Sequence, residues 1–216
     1  STRLIGAVIL AHGDKKGLRL PPKIAPIQVV IIPISRDREQ KNLVKDYIDF
    51  IINELIESNI RHMVDWSDAS PGYKFNDWEM KGVPIRIEIG PRDVQSNMVV
   101  IARRDSGEKN TISRDKVKDE TSNLLVKIQN ELFDQAKKFR DSNTHVVETY
   151  TDFKNIIKSG GFVRCGWDGS EETEAKIKDE TKATIRCVPF DENPENLSCI
   201  YSGQPAQHEV IYAKAY

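Results

Sequence analysis

Hydrophobic positions along the chain fall into two rhythms, and their order predicts an α/β protein. Arg3 to Leu10 is a short apolar run that reads as a strand, closed by the Gly/Lys/Asp turn at 13–17. Pro21, Pro22 and Pro26 interrupt the chain before Ile27 to Pro33, an Ile/Val run of the kind covered on both faces of a parallel sheet. Asp37 and Gln40 form a capping-box pattern that opens a helix to about Asn59. Leu43, Val44, Tyr47, Ile48, Ile51, Ile52, Leu55 and Ile56 recur along it at helical spacing. Ile60 to Trp66 reads as a strand, and Pro71-Gly72 opens a short helix carrying Phe75, Trp78 and Met80. Val83 to Ile89 alternates, predicting a half-exposed strand, and strands follow at 98–102 and 109–113 around an Asp105-Ser106-Gly107 turn. Val117 to about Arg140 is a long amphipathic helix.

After Asp141-Ser142-Asn143 the texture changes. A helix near Thr151 to Lys158 ends at Gly160-Gly161, then a strand near Phe162 and an acidic helix near Glu171 to Thr181. Short strands follow around Ile185, Cys199 and Ile211. The pattern predicts a mixed sheet flanked by helices, followed by a small α/β domain.

Charge refines this picture. The net charge is −1, yet Lys81 to Lys118 holds nine Lys/Arg against five Asp/Glu, while Asp168 to Lys182 holds six acids against three lysines. Contact with an anion or nucleic acid is therefore expected in the middle of the chain. The longest apolar run, Ile27 to Ile34, is strand-sized, well under the roughly 18 residues that cross a bilayer, so no membrane partner is expected. No secretory signal pattern opens the chain, and three cysteines (165, 187 and 199) fit a reducing compartment. A cytoplasmic location is expected. Phosphate-loop, dinucleotide-binding, zinc-protease and nucleophile-elbow motifs are missing, and the histidines at 12, 62, 145 and 208 make no metal-ligand pair.

The stretch STRLIGAVILAHGDKKGLRLPPKIAPIQVVIIPI resembles the junction between the catalytic domain of a class II aminoacyl-tRNA synthetase and its anticodon-binding domain. PGYKFNDWEMKGVPIRIEIGPRD, RRDSGEK and the ending EVIYAKAY narrow the resemblance to prolyl-tRNA synthetases of the archaeal/eukaryote-like type. It runs through the whole chain in order. The resemblance implies a motif 3 remnant over 1–25, an anticodon-binding domain over 26–142 and a C-terminal domain over 143–216. It implies a proline–tRNA ligase that uses ATP and Mg, with tRNA(Pro) as partner and a homodimer formed through the catalytic domain. Motifs 1 and 2 are not in these residues, so no catalytic residue is expected and the fragment alone should not aminoacylate.

Site residues follow from the same resemblance. Arg3 falls at the motif 3 arginine that lies against the ATP adenine, a role suited to a planar, permanent cation. Glu79, Arg86, Asp93 and Lys109, with Arg92 in support, fall at anticodon-reading positions. Proline anticodons end in two guanines: Arg or Lys can donate to O6 and N7, and a carboxylate can accept from N1 and N2. Without the resemblance each of these residues reads first as a surface charge or salt-bridge partner, and Phe75 and Trp78, which could stack on a base, read first as core. One of Arg103 and Arg104 is expected to point into the sheet and pair with an acid. Tyr216, the last residue, is implied to fold back towards the active site.

The C-terminal domain departs from its relatives' pattern. Many carry a C-x4-C and C-x2-C zinc cage. Here Cys165 is matched by Ser170 and Cys199 by Ser202, and hydroxyls are poor zinc ligands at neutral pH. Zinc is not expected. A free-standing tRNA-binding module, and the matching region of a glycyl-, threonyl- or histidyl-tRNA synthetase, are the alternative readings.

Overall fold

A computed structural model describes residues 2–35 and 37–214. They form two compact units, one running to Ala136 and the other from Lys137 onward.

The first unit is built on β1 (Val29–Pro33), β2 (His62–Val64), β3 (Ile85–Ile89), β4 (Met98–Arg103) and β5 (Lys109–Ser113), in the order β2-β1-β3-β4-β5. β1 runs parallel to both neighbours, and β3-β4-β5 is antiparallel. All five β1 residues are buried, which is what its unbroken Ile/Val run requires. Odd-numbered Val29, Ile31, Ile85, Ile87 and Ile89 pack with Val44, Tyr47, Ile48, Ile51 and Leu55 of α2 (Arg38–Glu57). Leu125, Ile128 and Leu132 of α5 (Val117–Ser142) complete that core. α2 begins where its cap predicts: the Asp37 side chain accepts the Gln40 N–H at 2.8 Å.

The other face of the sheet is only partly covered. Val30 and Ile32 pack there with Trp78 and Phe75 of α3 (Pro71–Met80), while Arg86 and Glu88 lie on the same face of β3. The half-exposed strand expected at 83–89 is corrected: Ile85, Ile87, Glu88 and Ile89 are buried, and the polar face is closed by ion pairs. α4 (Pro91–Ser96), not anticipated, turns the chain from β3 into β4, and its start is fixed by the Gly90 N–H donating to Asp93 at 2.8 Å.

The strand expected over Arg3–Leu10 is also overturned. Residues Thr2–His12 form helix α1, with Leu4, Ile5, Ile9 and Leu10 exposed. A short apolar run has no period that separates strand from helix. None of the described strands pairs with it, and a helix satisfies its own backbone groups where a lone strand cannot.

The following segment is docked. Leu18 N–H donates to the Met80 carbonyl and Leu20 N–H to that of Gly82, at 3.0 and 3.1 Å. Gly82 has φ of +77°, and a Cβ there would sit 2.7 Å from Leu18 backbone atoms. Only glycine permits both the conformation and the approach.

The second unit contains β6 (Thr144–Val146), α6 (Tyr150–Ser159), β7 (Phe162–Trp167), α7 (Glu171–Thr181), β8 (Ala183–Cys187) and β9 (His208–Lys214). Its sheet has the order β6-β7-β9-β8, with only the β6–β7 pairing parallel. Phe153, Ile157, Val163, Ile177, Val210 and Tyr212 fill its core. Gly160, at φ of +96°, ends α6 as the Gly-Gly pair predicts.

Candidate functional site

A cleft of about 290 Å³ opens beside α3 on the partly covered face of the first sheet. Glu79, Arg86 and Lys109 all line it, with Phe75. Strand register explains the gathering: Arg86 pairs with Ala102, and Ala102 with Lys109, so alternate positions of three strands share one face.

Glu88 holds the group together. Its Oε1 accepts from Arg86 Nε and Nη2 at 3.0 and 2.9 Å and from Lys109 Nζ at 2.8 Å. The guanidinium carbon of Arg86 lies 4.3 Å from the Phe75 ring centroid, and Lys109 Nζ lies 5.3 Å from it. A buried carboxylate on one side and a ring face on the other leave Arg86 few orientations. Among the hydrogen bonds of the described residues, its Nη1 donates to none. The cleft therefore offers oriented cationic donors, an aromatic wall and the Glu79 carboxylate, which is about one-quarter exposed and holds Lys16 at 3.0 Å. Those are the groups that recognise a purine edge bearing both acceptors and donors.

The floor is fixed by arginines. Arg104 donates to both Asp14 oxygens at 2.9 and 2.7 Å and to the Glu79 carbonyl at 2.7 Å. Arg103 donates to Asp105 at 3.1 and 2.7 Å and also pairs with Glu131. Both arginines are buried and paired, where one was expected. The Arg104 guanidinium holds the Asp14 carboxyl well below its ordinary value, against a smaller opposing effect of burial.

The remaining candidates lie elsewhere. Asp93 caps α4 and Arg92 is exposed on the same short helix, its carbonyl accepting from the Ser96 hydroxyl. Neither lines the cleft. Arg3 is exposed on α1, and Tyr216 lies outside the described residues. Trp78 is core, its indole N–H donating to Asp65 at 2.7 Å, whereas Phe75 is the half-buried cleft wall. Sequence reasoning missed Glu88, although the alternation in IRIEI puts it on the face of Arg86. It also missed Asp14 and Lys16, which no local pattern connects to the cleft.

In the second unit the positions of the zinc cage hold a hydrogen-bond hub. Asp168 Oδ2 accepts from the Ser202 hydroxyl at 2.6 Å and the Thr173 hydroxyl at 3.0 Å, and Oδ1 accepts from the Ser170 N–H at 3.1 Å. Burial opposes ionisation of Asp168, but these bonds and one from Cys199 outweigh it and lower its pKa. The Ser170 hydroxyl is engaged as the N-cap of α7. Burial, with smaller contributions from Cys199 and Glu209, pushes the Cys165 thiol up to about 12, the reverse of what a thiolate ligand needs. Two hydroxyls in other work and a protonated thiol do not fit zinc. Among the described residues no group of three or more His, Cys, Asp and Glu is placed to hold a metal ion.

A helix-flanked mixed sheet with a cationic, aromatic-walled cleft, joined to a small α/β unit, defines an anticodon-binding module with an appended domain. Residues 28–124 match the family model described as anticodon binding domain, and residues 150–216 match that of the prolyl-tRNA synthetase C-terminal domain. The chain belongs to the prolyl-tRNA synthetase family, in its anticodon-binding and C-terminal portion. It is 45% identical to a proline–tRNA ligase of Amoebophilus asiaticus, 45% to one of Cytophaga hutchinsonii and 47% to one of Acetoanaerobium sticklandii, each over the whole chain. The chain spans 44–45% of the length of these relatives.

Proposed function

We propose that the cleft of Glu79, Arg86 and Lys109 reads the guanines of the proline anticodon. The observation that carries this is the convergence of these three residues, from α3, β3 and β5, around Glu88 and the Phe75 ring. Arg86 and Lys109 donate to O6 and N7 of a splayed guanine, and the Glu79 carboxylate accepts from N1 and N2. Arg92 and Asp93 act at the edge of the bound loop, Asp93 by holding α4 in place. Residues 26–142 carry this reading, and 143–216 form a domain held without zinc.

The whole protein, on this reading, is a cytoplasmic, dimeric ligase that joins proline to tRNA(Pro) using ATP and Mg. Arg3 contacts ATP and Tyr216 the active site only in that setting. The relatives' common name supports the assignment. No helix among the described residues is long and apolar enough to cross a membrane. Filter binding of this chain to proline tRNA, against the same tRNA with both anticodon guanines replaced by adenine, tests the reading. Weaker binding of the adenine form is expected, and equal binding refutes it.

A further inference from the structure

A second, larger cleft of about 840 Å³ lies at the carboxyl ends of β1 and β2. These strands are parallel neighbours, yet the chain leaves them towards opposite faces of the sheet. α2, which follows β1, packs with Val29 and Ile31, while α3, which follows β2, packs with Val30 and Ile32. A crevice between loops that diverge in this way is where open α/β sheets take ligands.

Its lining is cationic in a particular manner. Arg38, Lys41 and Lys45 stand three and four positions apart, on one exposed face of α2. Among the described residues none of the three forms an ion pair, and Lys41 Nζ lies 5.9 Å from the Trp66 ring centroid. Two of the acids in the cleft are committed to other work. Asp37 caps α2, while Asp65 accepts from Ser67 and from the Trp78 indole and lies 3.7 Å from the buried Lys74. Only Asp68 remains to set against three unpaired cations. The cleft borders the N-terminal half of α3, and the guanine-reading cleft borders its C-terminal half: Lys74 lines one, Phe75 and Asn76 the other.

We propose that this cleft binds phosphates of the RNA backbone next to the bases read at Arg86. The proposal rests on the anticodon reading, because it assigns the same RNA to both clefts. Three flexible, exposed cations without a donor set aimed at a base edge suit positioning and affinity but not sequence choice.

The test is a salt titration of this chain and its Lys41→Ala/Lys45→Ala variant with a synthetic proline anticodon stem–loop and its adenine-substituted form. Both side chains are exposed, so the melting temperature of the variant should match that of the parent. Two lost phosphate contacts should make the slope of log K against log salt shallower by about 1.4–1.8. Affinity at low salt should fall for both RNAs, by about tenfold, with their ratio unchanged. An unchanged slope overturns the proposal, whatever the ratio. Loss of the ratio without loss of slope also overturns it. Failure of the parent chain to prefer guanine overturns the anticodon reading instead. Protection from thermal unfolding by pyrophosphate, with RNA slopes equal in parent and variant, would assign the cleft to a free phosphorylated compound and defeat the RNA proposal.

Discussion

Arg104 closes two hydrogen bonds on Asp14, at 2.7 and 2.9 Å, across ninety positions of sequence. The pair ties the loop after α1 to the end of β4, and its third bond, to the Glu79 carbonyl, fixes the end of α3 that supplies the cleft. The guanidinium is almost fully buried while Asp14 is about one-third exposed. Removing Asp14 therefore leaves a buried cation short of two acceptors.

Asp14→Ala should destabilise the first unit by about 1–3 kcal/mol, read from urea or thermal melts. Guanine preference should weaken with it, since Arg104, which bonds the Glu79 carbonyl, loses the acid that holds its guanidinium. A variant with parental stability would show that the loop is not structurally tied to the sheet.

The same pair sets a pH dependence. The folded pKa of Asp14 lies below its unfolded value of about 3.9, so the stabilisation is full above that value. It is lost as pH falls through the folded pKa. The parent should lose stability below about pH 4 more steeply than Asp14→Asn, which has no proton to take up at this site. Parallel pH profiles would contradict this.

Glu88→Gln separates affinity from selectivity. Removing the charge frees Arg86 and Lys109 from the acid that orients both. Binding to a non-cognate RNA should tighten, because two cations lose their counter-charge. Discrimination between guanine and adenine should fall by about tenfold, within the 1–3 kcal/mol of a good base contact. A uniform change in affinity for all RNAs would mean that Glu88 does not shape the reading site.

Asp168 gathers the Ser202 and Thr173 hydroxyls and the Ser170 N–H on one carboxylate. Asp168→Ala should cost about 1–3 kcal/mol by stranding the buried Thr173 hydroxyl and the part-buried Ser170 N–H. A chelator should leave the parent melting temperature unchanged. Loss of stability on chelation would mean that zinc is bound through groups other than those expected.

Much of the fold could be read from the sequence, and the exceptions have physical causes. The caps at Asp37 and Gly160 and the buried run of β1 are local signals, so they could be read directly. The run Leu4–Leu10 satisfies a strand and a helix equally, and pairing partners decide between them. The alternation in β3 reads as a half-exposed strand, whereas Glu88 is buried and Arg86 half-buried in an ion pair that periodicity does not reveal. Glu79, Arg86 and Lys109 were found through family resemblance, and strand register then explains their meeting. Arg92 and Asp93, identified in the same way, stand outside the cleft, because the α4 turn carries them past the end of β3.

Whether Arg86 reads a guanine is decided by a double-mutant cycle between this side chain and the anticodon bases. Binding of the parent and of Arg86→Ala would be measured at fixed salt, with proline tRNA and with each anticodon guanine replaced singly by adenine. Arg86→Ala should cost about 1–3 kcal/mol with the native tRNA and almost nothing once the guanine it contacts has been replaced. An equal loss on all three RNAs would reduce Arg86 to a general cation with no part in reading a base.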